Sequence, residues 1–304
     1  MAMSSGSVSF SPALAKQKNA CEALNGSVHL YFNLFWFMTK SLLALALLSS
    51  ISFAGDPAPT IDISKLPQQT QIVDDVVVPV PSEIFAVLDK LGKPNWTAVL
   101  RAPKGVVKTC GNQPQDALYL GVIIAEGFIA VEAQNSEAVK DIGKSVLKLA
   151  EALSVRKEVT KRANAIIAAA DSSDWQLVRR ELDGALSEVR GAMKALGSEN
   201  LAHLVSLGGW VRGTEALCEV VSKNYSKDGA DLLRQHMLLS FFSNKLKNIS
   251  KQKSLKHPLL PKLQAGLTGI VPLIGLAQDA DISAKSVKEI GDITAGLVKA
   301  IQTK

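Results

Sequence analysis

Signatures of catalysis and of metal or haem binding are missing from this chain of 304 residues. It has no Cys-x-x-Cys, no haem attachment sequence, no His-Glu-x-x-His, no Gly-x-Ser-x-Gly and no glycine-rich phosphate loop after a strand. Neither a cofactor nor a metal is therefore expected, and no catalytic residue is assigned. Histidine is sparse as well: beyond the N-terminal region only His203, His236 and His257 occur, on separate segments and without the paired spacing of metal ligands. Aromatic residues make up 5% of the chain. Strands of a β-sandwich would want more Thr, Tyr and Phe, so the wealth of Ala, Leu, Val and Ile favours packed helices.

What is present begins with an export signal that starts at Met38 rather than Met1. Met38-Thr39-Lys40 leads into an apolar run from Leu42 to Leu48 and ends at Ser52-Phe53-Ala54. A basic start, an apolar stretch of about ten residues and small residues before the cut define a secretory signal peptide. Residues 1–37 are then an extension ahead of the true start, 38–54 the signal and 55–304 the exported chain. The alternatives are an uncleaved membrane anchor over 28–54 and a buried apolar segment. In an anchor Lys40 would lie near mid-span, at about 2.5–3.5 kcal/mol on insertion scales. Export into a bacterial periplasm is the expected destination, with membrane anchoring as the alternative.

Cysteine is equally scarce. Outside the first 54 residues only Cys110 and Cys218 remain, an even pair that an oxidising compartment would allow to bridge. A bridge would close a loop of about 107 residues and contribute up to about 4.7 kcal/mol. The alternative is two free thiols, with Cys218 a small apolar core residue.

Five prolines mark 55–81 as an extended linker, with one β-branched patch in which Val76-Val77-Val78 is a candidate short strand. A short helix is expected between Ser82 and Gly92, and Pro94 to Cys110 reads as mostly loop. From there on helical periodicity dominates. The expected segments run from Asn112 to Val131, from a Ser136 cap to Leu153, from Lys157 to Ala170, from Ser173–Trp175 to Met193, from Leu201 to Val221, from Asp228 to Ile249, from Leu259 to Gly275 with a break at Pro272, and from Ser283 to Ile301. The expectation for 82–304 is a single all-α domain, an irregular antiparallel bundle of about seven to nine helices. A solenoid is the lesser alternative, since no signature recurs at a fixed period. Small residues at Gly121, Ala125 and Gly127 on one helix and Gly208, Gly209 and Gly213 on another suggest that these two form the central pair.

Two charges sit where apolar neighbours make them costly. Glu126 interrupts Leu120–Val131, and Arg212 follows Leu207-Gly208-Gly209-Trp210-Val211. A carboxylate in such a run must be paired, exposed on a narrow stripe, or protonated. Three readings follow: a ligand-binding polar pocket formed with Glu215 and Tyr119, a core ion pair that fixes helix register, or two solvated stripes that never meet. A hydrolase or transferase using Glu126 as acid or base is a further alternative.

Charge is also unevenly spread. Between Asp231 and Asp279 no acidic residue occurs, whereas Arg234, Lys245, Lys247, Lys251, Lys253, Lys256 and Lys262 do. The exported chain has 31 basic and 27 acidic residues, so the positive excess is local to this stretch. With Met237, Leu238, Leu239, Phe241, Phe242, Leu246 and Ile249 beside it, the stretch has the composition of a surface that rests on an anionic membrane or envelope polymer. The plainer alternative is a core helix followed by a solvated turn. No nucleic-acid recognition motif is present, and the oligomeric state is left open. The functional expectation is an exported, non-catalytic interaction or structural protein with a basic surface at 245–262.

Overall fold

The computed structural model describes residues 70–73, 76–79, 94–275 and 280–303. The expected extension 1–37, the expected export signal 38–54, most of the expected linker 55–81 and the expected helix from Ser82 to Gly92 lie outside the described residues. Within the linker, β1 (Thr70–Val73) and β2 (Val76–Pro79) pair antiparallel, with Ile72 opposite Val77. Their β-branched residues favour the extended backbone, and Pro79, which has no N–H to donate, stands at the end of the ladder.

Among the described residues from Trp96 onward every regular element is helical, and the fold is the all-α bundle that the periodicity implies. A single turn, α1 (Trp96–Val99), is followed by the long helices α2 (Gln113–Glu132), α3 (Ser136–Ala152), α4 (Arg156–Asp171), α5 (Trp175–Ala195) and α6 (Glu199–Lys223). The short α7 (Lys227–Asp231) precedes α8 (His236–Ile249), α9 (Leu259–Ile270) and α10 (Ala284–Gln302). Asn112 caps α2 by accepting the Gln115 N–H at 2.9 Å, with Pro114 and Asp116 in the first turn where both are favourable. Asn135 rather than Ser136 caps α3, accepting the Ala138 N–H at 3.0 Å. Ser136 instead donates to the Ala170 carbonyl at 2.8 Å and ties α3 to the end of α4.

Four consecutive helices end in the same corner. Gln134, Ser154, Ser173 and Gly197 each adopt positive φ, at 51°, 62°, 56° and 68°. In each case the next residue's N–H returns to a carbonyl five positions back: Asn135 to Ala130, Val155 to Ala150, Asp174 to Ala169 and Ser198 to Met193. This is the left-handed helix terminus that glycine serves best, occupied here by glycine once in four.

At the centre α2 packs on α6 with backbone against backbone. A Cβ on Gly121 would stand 1.9 Å from the Val205 carbonyl oxygen, and one on Gly208 2.0 Å from that of Leu118. The central pairing expected from the small residues is thus present, carried by Gly121, Gly208 and Gly209. Gly127 instead faces Ile142 and Leu182, and Gly213 meets nothing within 4 Å. Of the described helices, α2 alone has the length and apolarity of a membrane span, and 94% of its apolar window is buried inside the protein. Gln115 links the first long helix to the last, donating to the Ile301 and Thr303 carbonyls at 2.9 and 2.7 Å.

The expected helix from Asp228 to Ile249 is in fact two. Side chains capture the backbone at the break: Gln235 Nε2 donates to the Leu232 carbonyl at 2.8 Å, Trp210 Nε1 holds Gln235 at 2.7 Å, and Arg234 turns back to Asp231 at 2.7 Å. Pro272 ends α9 as expected, in a 3-10 turn from Val271 to Ile274.

Candidate functional site

Glu126 and Arg212 meet. Burial of both side chains, at 2% and 1% exposure, makes pairing obligatory, and the Arg212 Nε donates to Glu126 Oε2 at 2.6 Å. The pair sits where the chain leading into the bundle crosses α2 and α6. Glu126 Oε1 accepts the backbone N–H of Arg101, and Arg212 Nη2 donates to the Val99 carbonyl at 2.7 Å. Arg101 then extends its guanidinium to Glu215 through Nη1 and to Glu219 through Nη2, the latter at 2.9 Å, and Lys223 reaches Glu219 at 3.1 Å. Glu215 also lies 3.4 Å from Arg212 Nη1, an ion-pair distance at which neither Arg212 Nη1 nor Glu215 Oε2 makes a hydrogen bond.

Electrostatically the cluster is a ladder from dry to wet: Glu126 and Arg212 inside, Glu215 at the edge, Arg101 and Glu219 reaching solvent. Burial pushes the Glu215 carboxyl above the ordinary glutamate value and outweighs the opposing pull of Arg212 and Arg101, with the nearby charges of Glu126 and Glu219 adding to the rise. Both oxygens of Glu126 are engaged, Oε1 by the Arg101 N–H and Oε2 by the Arg212 Nε, so the carboxylate is tied into the framework. Of the sequence-based readings, the geometry matches the core ion pair.

The rest of the segment is fastened in the same manner. The N–H groups of Gly105, Val107 and Cys110 donate to Asp141 Oδ2 at 3.0 Å, Ser145 Oγ at 3.2 Å and Asp116 Oδ1 at 2.6 Å. Trp96, Val99 and Val107 are buried beneath it. Sequence reasoning passed over this segment as loop. Arg101 and the Val99 carbonyl, which complete the cluster, carried no periodic signal, and the need of a buried Arg212 for more than one acceptor was the available clue.

Tyr119, grouped with Glu126 from the sequence, is placed elsewhere. Seven residues give it the same helix face but put it two turns away, about 10 Å along the axis. It lies half-buried near Cys110, and burial together with that thiol raises its hydroxyl above the ordinary tyrosine value. Cys110 and Cys218 form no disulfide. Cys110 precedes α2 beside Asp116, whereas Cys218 lies on α6 facing Gly291 of α10. Burial and the Glu215 charge push the Cys218 thiol up to about 12, the behaviour of a core residue. His203 meets the Phe241 ring edge-on at 5.6 Å, and His257 Nδ1 accepts the Leu259 N–H at 3.3 Å.

The basic stretch divides. Arg234 is not a surface cation: besides Asp231 it donates to the Ile274 and Ala280 carbonyls at 2.9 and 2.6 Å and braces the chain between α9 and α10. Lys245 is half-buried, its ammonium 5.3 Å from the Phe241 ring centroid. Lys247, Lys251, Lys253, Lys256 and Lys262 are exposed along the turn from α8 into α9, and among the described residues no carboxylate lies within ion-pair distance of them. By contrast Lys140, Lys144, Lys148, Lys223, Lys227, Lys285 and Lys288 each reach one. The apolar residues expected to lie open beside the lysines face the protein's own core: Leu238, Leu239, Phe241, Phe242, Leu246 and Ile249 are all buried, and Met237 is exposed. Ser243 accepts from Gln264 at 2.5 Å, joining α8 to α9 behind the turn.

No protein-family model, curated protein or solved structure matches this chain.

Proposed function

We propose that this protein is an exported, non-catalytic interaction protein of the cell envelope that meets an anionic partner through Lys247, Lys251, Lys253, Lys256 and Lys262. The observation that carries the reading is that these five exposed lysines stand together in a stretch without a carboxylate and with no ion pair among the described residues. Exposed lysines without an ion pair elsewhere, such as Lys104, Lys157, Lys161 and Lys194, are scattered, and Lys140, Lys144, Lys148, Lys227, Lys285 and Lys288 are paired. Charges already neutralised within the molecule have little to give a partner, whereas unpaired ammonium groups keep their full attraction for phosphate or carboxylate. Lysines near an anionic surface contribute about 1 kcal/mol each, so five give about 5 kcal/mol, a sub-millimolar affinity that falls steeply with salt. Because the apolar side of α8 is used internally, the contact is electrostatic and does not insert into lipid. A small-molecule site or acid–base chemistry at Glu126 is less well supported, because the buried carboxylate already accepts from Arg101 and Arg212.

Co-sedimentation of the full chain with anionic vesicles, neutral vesicles and soluble polyphosphate, at low and high salt, tests this beside a variant with the five lysines changed to Glu. Binding to anionic vesicles or to polyphosphate at low salt, lost at high salt and in the variant, is the expected result. Equal behaviour of parent and variant would sink the proposal. The variant's unfolding free energy should stay within about 0.5 kcal/mol of the parent, as for surface positions generally.

A further inference from the structure

Residues 96–107 are held on the bundle in the way that a bound peptide is held. Four backbone groups of the segment, the Val99 carbonyl and the N–H groups of Arg101, Gly105 and Val107, are each engaged by a side chain of α2, α3 or α6, and the Cys110 N–H just beyond it is held by Asp116. The Glu126–Arg212 pair plays a particular part. Leu100 is extended, with φ −62° and ψ 127°, so the Val99 carbonyl and the Arg101 N–H emerge from one edge of the chain. A neighbouring strand would present one donor and one acceptor to that edge. Here a guanidinium and a carboxylate present them instead, locked in place by their own 2.6 Å bond. Side chains then set the register: Trp96 and Val99 are buried, and Arg101 reaches Glu215 and Glu219. Arg101, Lys104 and Val106 keep their exposure, as in a segment laid on a surface rather than built into a core. Main-chain hydrogen bonds for affinity with a few side-chain positions for specificity are how extended peptides are recognised.

We propose that the surface where α2, α3 and α6 meet is a binding site for a peptide that enters as one helical turn and continues extended, occupied in cis by residues 96–107. Its ligand class is a segment with a large aromatic residue, a β-branched residue three positions on and an arginine two beyond that, the pattern of Trp96, Val99 and Arg101. Such a segment displaces the strap. This site is separate from the lysine surface and does not depend on it.

The test uses the full chain with a specific protease site inserted after the exposed Lys108, before the half-buried Thr109, and then cleaved, so that the strap is held by non-covalent contacts alone. A fluorescent synthetic peptide with the sequence of Pro94–Lys108 is added, and its uptake is followed by anisotropy while circular dichroism reports helix content. Saturable uptake with helix content unchanged is expected, together with at least about tenfold weaker uptake of peptides carrying Trp96→Ala or Arg101→Ala, as loss of an anchor position predicts. Absence of uptake overturns the proposal. So does uptake only at the rate of global unfolding, uptake accompanied by loss of helix, or equal uptake of the altered peptides.

Discussion

The region from α2 to α6 and the stretch from Arg234, just before α8, into α9 treat charge differently. In the first, acidic and basic residues alternate along the sequence and the structure pairs many of them, leaving Lys157, Lys161 and Lys194 exposed without an ion pair. Glu126 pairs with Arg212, Glu132 with Arg179 at 2.6 Å, and Arg162 with Glu181 and Glu188 at 3.0 and 2.7 Å. In the second, the charged residues are cations alone. One of them, Arg234, is consumed as a brace, one is drawn over an aromatic ring, and five stay in solvent. A group of cations becomes available to a partner where the local sequence supplies no carboxylate to retain them. The same two regions differ in their connections: four matching corners in the first, and side-chain-braced turns and a proline break in the second.

The sharpest way to break the contrast is Glu126→Gln. It removes the carboxylate hydrogen-bonded to the buried Arg212, leaving only the Glu215 carboxylate at 3.4 Å, and is expected to lower the unfolding free energy by about 3 kcal/mol in urea titration. A loss below about 1 kcal/mol, the scale of an exposed pair, would mean that interior and surface charges are not energetically distinct. Next in size is the backbone contact that holds the two central helices. Gly208→Ala places a Cβ against the Leu118 carbonyl and should cost at least about 1–3 kcal/mol. Gly213→Ala, in open space on the same helix, should stabilise by about 0.5–1 kcal/mol. Equal effects on the thermal midpoint would show that glycine position does not govern the α2–α6 contact.

The smallest effect is on pH dependence. Glu215 has its folded value raised by burial above the ordinary 4.5. A raised carboxyl binds its proton more tightly in the folded state, so its contribution to stability is present below pH 4.5 and is lost as pH rises through the elevated folded value. Urea midpoints measured upward from that point should decline less steeply in Glu215→Gln than in the parent. An unchanged slope would remove Glu215 as the cause.

The helices were legible in the sequence because apolar residues recur at helical spacing and Asn, Asp and Gly mark the ends. Glu126 and Arg212 were legible for a related reason: a charge inside an apolar run announces a cost that something must meet. The partner that meets part of it was hidden, since the Val99 carbonyl is a backbone atom that no residue type advertises. Arg101 sits in a stretch without period. Arg234 was misjudged because counting cations assigns each to solvent, whereas a planar fork of donors can equally well brace two carbonyls. The cysteines were uninformative because an even number states nothing about where the chain carries each one. The split between α7 and α8 depends on Trp210, Gln235 and Arg234 meeting from separate stretches, which no local pattern records.

The matching corners have a consequence for how this molecule can change its length. Each fixes the direction of the next helix with one left-handed residue and a closed set of hydrogen bonds, leaving no slack to absorb an added or deleted residue. A single insertion within α3, α4 or α5 would rotate everything after it by about 100° about that helix and turn its buried face toward water. Variation in length among descendants of this chain should therefore collect where the backbone is not cornered, in the turn from Ser250 to Pro258.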